Sequence, residues 1–112
     1  MSEENLIYVL DVSNPKVLAQ KYSIERELSF GSSRDCDIPI TGLSLAPIEG
    51  KFRYQNHILT YIQMTDGEQI RIGNQICKKG RMYILEKGDR ISTKKGEKED
   101  KLKIIIRLEE LH

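Results

Sequence analysis

What most constrains this chain is its rhythm. Short apolar runs alternate with turn residues at a spacing of about 8–12 residues, the pattern of a β-sandwich or barrel. The runs are NLIYVLDV, RELSFG, CDIPI, PIEGKFRY, HILTYIQM, QIRIG, MYILEKGDRIS and KLKIIIRLEEL, rich in Ile, Leu, Val, Tyr and Phe. Between them stand SNP, TGL, YQNH, TDGE, IGN, KKGR, EKGD and KKGEKED, where glycine, asparagine or aspartate supplies the turn. In one run Lys51, Arg53 and Gln55 interleave with Phe52 and Tyr54, the two-residue period of a strand with one face buried. The expected fold is therefore all-β, a sandwich of two antiparallel sheets with roughly 10–11 short strands. YQNH predicts a tight hairpin and TKKGEKEDK a longer, solvated one. RLEELH is the one segment expected to end in a short helical turn. The 112 residues show no internal repeat and no linker, so 1–112 is expected to be one domain.

Charge and cysteine content narrow the function. The net charge of +1 favours neither nucleic acid nor an anionic membrane, and no apolar run is long enough to insert directly into a bilayer. The start, MSEENLIYVL, lacks the basic and apolar regions of a signal peptide. Cys36 and Cys77 are far apart, fit no metal spacing and are too few for a disulfide scaffold, which points to a reduced, cytoplasmic setting.

One stretch carries more polar chemistry than a turn needs: LSFGSSRDCDIPI, with Ser32, Ser33, Arg34, Asp35 and Asp37 between two apolar runs. Together with the segments C-terminal to it, this stretch resembles the forkhead-associated (FHA) domain, whose loops read phosphothreonine. FGSSRDCDIPI matches the family's glycine–arginine segment through Gly31 and, at the next strand, Asp37 and Ile38. LSLAPIEGKF stands at the serine-x-x-histidine loop, TDGEQI at the asparagine–glycine turn through Asp66 and Gly67, and EKGDRIS at the late turn through Gly88 and Asp89. The resemblance implies an FHA-type β-sandwich in which Gly31, Asp37, Gly88 and Asp89 are structural. It also implies that the loops holding Ser32, Ser33, Arg34, Ala46, Pro47, Asp66, Gly67 and Arg71 meet at one end as the partner-binding surface.

The departures from the family bear on function. Ser32 stands at the phosphate-facing arginine, Ala46 at the phosphate-bonding serine, Glu49 at the structural histidine and Asp66 at the turn asparagine. The second asparagine–glycine position reads Arg71 and Ile72. A phosphothreonine dianion is best held by a guanidinium fork. Ser32 removes that fork, and Asp66 and Glu49 are expected to add repulsion at the loops. The expected function is a non-catalytic, phospho-independent protein-docking module, a degenerate member of a signalling family with another protein as partner. One alternative is a phosphothreonine-peptide reader in which Arg34, helped by Arg71 or Lys51, replaces the missing arginine. Another rests on Ala46 and Pro47, which make the loop similar to FHA-like cytoplasmic domains of bacterial secretion ring proteins.

No catalytic constellation is expected. His57 lies in a hairpin turn and His112 ends the chain. Cys36 reads as a small buried hydrophobe. Cys77 precedes two lysines that would lower its pKa, but no base or oxyanion site accompanies it. Asp35, Asp37, Asp66 and Asp89 read as turn aspartates capping their own backbone rather than as metal ligands. No cofactor and no metal are expected.

Overall fold

The computed structural model describes residues 6–14, 17–40, 45–67, 69–93 and 102–110. They form eleven strands and no helix: β1 Leu6–Asn14, β2 Val17–Ser23, β3 Glu27–Gly31, β4 Ile38–Pro39, β5 Gly50–Gln55, β6 Ile58–Gln63, β7 Ile70–Ile72, β8 Gln75–Ile76, β9 Met82–Leu85, β10 Arg90–Thr93 and β11 Lys103–Glu110. One sheet has the order β2-β1-β11-β10-β7-β8 and the other β4-β3-β5-β6-β9. All pairings are antiparallel except β3 with β4, which is parallel.

Period-2 alternation sends one side of each sheet inward. Phe30, Phe52 and Tyr61 from three neighbouring strands pack with ring centroids 5.1–5.9 Å apart. Leu10, Ile24, Leu59, Ile70, Leu85, Ile91, Leu102, Ile104 and Ile106 fill the space between the sheets. The core is aromatic at one sheet and aliphatic at the other, which accommodates two layers without a tryptophan.

The hairpin at YQNH is as expected. Gln55 pairs with Ile58, leaving Asn56 and His57 as a two-residue turn with φ of 55° and 65°. Two successive left-handed residues make the turn whose twist matches that of the strands, and asparagine tolerates this region better than most.

Two expectations are corrected. Leu108, Glu109 and Glu110 do not form a helical turn; they stay in β11, paired with Tyr8, Ile7 and Leu6 of β1. Ladder bonding along eight residues overrides the helix preference of the short RLEEL segment. Arg71 and Ile72 do not form the second turn. They lie in β7, and the turn falls at Gly73 and Asn74, between Ile72 and Gln75. The hairpin expected within TKKGEKEDK lies mostly at residues 94–101, outside the described residues; its flanks, β10 and β11, pair antiparallel.

Candidate functional site

The loops after β3, before β5 and after β6 converge at one end of the sandwich. Ser32 N–H donates to Ala46 O at 2.9 Å, and Ser33 N–H to Pro47 O at 3.2 Å. The Cys36 thiol donates to the same Pro47 oxygen at 3.1 Å. The two segments thus run side by side, joined mainly through backbone. Gly31 permits this approach. A Cβ there would lie 2.8 Å from both Ala46 O and Glu49 N, and closer still to Pro47 O. Its φ is not positive, so the demand is for space rather than a left-handed backbone.

Glu49 is the residue whose role the sequence misled on. It is 0% exposed, so its carboxylate adds no surface charge to the loops. Its Oε1 accepts the Ala46 N–H at 3.0 Å. Its Oε2 accepts Gln63 Nε2 at 2.7 Å and the Thr65 hydroxyl at 2.8 Å. Gln63 in turn accepts the Tyr61 hydroxyl at 2.5 Å. A continuous chain of hydrogen bonds runs from the aromatic core through Gln63 and Glu49 to the backbone of Ala46, and on to the loop after β6 through Thr65. A carboxylate is acceptor-only, and every contact here is donated to it. Burial of Tyr61, with smaller contributions from Cys77 and Glu49, pushes its phenol far above the ordinary range. The network therefore keeps its tyrosine as a donor.

Asp37 fastens the other end of the first loop. Its Oδ2 accepts Ser29 N–H at 2.9 Å and the Ser29 hydroxyl at 3.2 Å, while its own N–H donates to Ser29 Oγ at 3.1 Å. Ser33 Oγ accepts Asp35 N–H at 3.1 Å, closing the turn from within. At the remote late turn, Asp89 Oδ2 accepts Glu86 N–H at 2.7 Å. Gly88 has φ of 95°, a conformation open to glycine and strained in other residues. Gly31 thus lies at a close backbone approach, Asp37 at the closure of the first loop, and Gly88 and Asp89 in the late turn.

The remaining residues divide. Arg34, Asp35, Pro47, Asp66 and Gly67 are exposed around the converged loops, with Ser32, Ser33 and Ala46 half-buried beneath them. Arg71 is placed differently: it sits in β7, where its Nε donates to Ser92 Oγ at 3.3 Å. Lys51 lies in mid-strand, opposite Ser29 and Ile62. Arg34 makes no hydrogen bond or ion pair among the described residues.

Cys77 is also corrected. Burial pushes its thiol up to about 11, overcoming a lowering backbone contact from Ile72; the neighbouring lysines do not activate it. Both cysteines are free and buried. Among the described residues no group of His, Cys, Asp or Glu could hold a metal ion, and no helix is long and apolar enough to cross a membrane.

No family model matches the chain, and no curated protein matches it. Solved structures do. The N-terminal FHA domain of S. cerevisiae Rad53, in complex with a phosphothreonine peptide, superposes with a TM-score of 0.77 at 15% identity, over 92% of this chain and 94% of that one. Yeast Pml1p superposes with a TM-score of 0.79 at 12% identity, over 97% and 87%. The FhaA FHA domain, complexed with the intracellular domain of Rv3910, gives 0.71 at 13% identity, over 89% and 99%. The chain has the fold of an FHA domain, a β-sandwich with loops gathered at one end.

Proposed function

We propose that the chain is a non-catalytic protein-docking module that engages its partner independently of phosphorylation. The observation that carries this is the pairing of Ser32 with Ala46. The Ser32 N–H donates to Ala46 O at 2.9 Å, so the two positions that the FHA resemblance assigns to an arginine and a serine lie side by side. Neither residue supplies a cation, and Ala46 has no donor beyond its N–H, which is committed to Glu49. Charge-assisted bonds are worth roughly 1.5–3 kcal/mol each, so losing two costs about 3–6 kcal/mol. At ~1.4 kcal/mol per tenfold, that is roughly a hundredfold to ten-thousandfold in affinity.

The loop framework is nonetheless built with care. Glu49 stands where the resemblance expects histidine and holds the Ala46 backbone from below. A buried strut under a loop that contacted nothing would have little purpose, whereas a docking surface requires a fixed loop. The phosphothreonine-peptide complex of Rad53 and the protein-domain complex of FhaA suit a docking role for this fold. A cytoplasmic setting accords with two free cysteines. One observation favours the phosphopeptide alternative: Arg34 is exposed and engaged by no described residue.

The test is restoration. Ser32→Arg with Ala46→Ser should confer phosphate-dependent binding to a phosphothreonine peptide library that the parent chain lacks. If the parent already binds with phosphate dependence, and Arg34→Ala removes it, the phosphopeptide alternative holds instead.

A further inference from the structure

We propose that the open edge of β9 is a second docking site, which takes an extended acidic segment of a partner protein as an added strand. Among the described residues β9 ends its sheet, paired on one side only, with β6. The Gln63 N–H donates to Arg81 O, and alternation from that bond turns the backbone groups of Tyr83 and Leu85 toward β6 and those of Met82 and Ile84 outward. Met82 and Ile84 are also the two most exposed large hydrophobic residues described, at 58% and 68%. Unpaired ladder groups and solvent-facing apolar side chains thus coincide on the same two residues, as strand addition requires.

The surrounding face extends the apolar surface. Cross-strand register places Ile62 beside Met82 and Thr60 beside Ile84, on the side of the sheet opposite Tyr61 and Leu85. Ile58 lies on the same side, 46% exposed, and a shallow groove lined by Arg53, Gln55, Ile58, Thr60 and Met82 runs along it. The opposite edge of this sheet is guarded in the usual manner: β4 is two residues long and contains Pro39. β9 has no proline, and its four residues follow a bulge at which Gly80 N–H donates to Gln63 O while Gln63 N–H donates to Arg81 O.

Charge selects the occupant. Lys79 and Arg81 are exposed just before β9, and Lys87 just after it, against a single carboxylate, Glu86. A second copy laid on this edge would bring the same three cations, Lys79, Arg81 and Lys87, against the first set, which disfavours self-pairing. A strand with apolar residues at alternate positions and carboxylates at its ends meets cations at both ends of β9.

The probe is a short capped peptide of alternating valine and threonine with two glutamates at each end, titrated into the isotopically labelled chain. Expected are shifts and slowed exchange at the Met82 and Ile84 amides. Replacing the glutamates by lysines should weaken binding by about tenfold or more, since opposed charges become like charges. N-methylation of alternate peptide nitrogens should abolish it. Ile84→Lys and Arg81→Glu should each weaken it while leaving the β spectrum unchanged; Arg81 is exposed, so that variant decides the matter if the first fails to fold. No shift at β9, shifts confined to the loops around Ser32 and Ala46, equal binding of the lysine or N-methylated peptide, or a dimer that Arg81→Glu dissolves would each overturn the proposal.

Discussion

The carboxylate of Glu49 accepts the backbone N–H of Ala46 at 3.0 Å while itself 0% exposed. The loop at the converged end of the sandwich is thereby tied to the core by a buried charge. Removing that charge should be costly. Glu49→Ala leaves the donors of Ala46, Gln63 and Thr65 without their acceptor, and the expected loss is about 2–5 kcal/mol, since each buried donor left unsatisfied costs roughly 1–3 kcal/mol. Glu49→Gln keeps the shape but turns an amide toward other donors, and about 1–3 kcal/mol is expected. Urea denaturation of both variants checks this; a loss under about 0.5 kcal/mol for Glu49→Ala is what an ordinary surface substitution would give.

Gly31→Val should destabilise by a steric route. The added atoms meet backbone of Ala46, Pro47 and Glu49, which cannot rotate away as a side chain would. A cost of about 1–3 kcal/mol is expected, on the scale of overpacked sites, and thermal melting should fall by roughly 4–8 °C per kcal/mol. Gly31→Ala should show the same direction, because Cβ alone makes the collision. An unchanged midpoint would mean that the loops part without cost.

Stability should fall in alkali. Burial raises both the Tyr61 phenol and the Cys77 thiol, the latter to about 11 from an ordinary 9.0. Each group gives up its proton more readily in the unfolded chain. Their contribution is thus complete below the unfolded values and is lost as pH rises through the window from 9 toward 11. Denaturation midpoints at pH 7, 8 and 10.5 should be level between the first two and lower at the third, and Cys77→Ala should reduce the fall. In the folded chain Cys77 should resist alkylation at neutral pH.

The strands are legible in the sequence because their physics is local. Alternation around Phe52 and Tyr54, and the two turn residues Asn56 and His57, are read within a few positions of the chain. So is the cap at Asp89, whose carboxylate bonds the Glu86 backbone three residues back; Asp37 reaches Ser29, eight residues away, which local reading does not give. β2 does not stand out, because VLAQKYS lacks a clean alternation. Glu49 misleads for a different reason. A glutamate after Ala-Pro-Ile looks like a solvated loop charge, and only Gln63 and Thr65, 14 and 16 residues further on, make it an interior acceptor. Cys77 misleads similarly: adjacent lysines suggest activation, while burial between the sheets decides its chemistry. The β9 edge is invisible in the sequence because strand order, not strand content, determines which of the described strands ends a sheet.

The most direct measurement is the ratio of affinities of the parent chain for matched peptides with and without phosphate on threonine, at moderate salt. A ratio near one is expected for every peptide, since Ser32 and Ala46 offer no cation and no side-chain donor pair to the dianion. A ratio of about a hundred or more, the factor carried by two charge-assisted bonds, would contradict phospho-independent docking; loss of that ratio in Arg34→Ala would place the phosphate on Arg34.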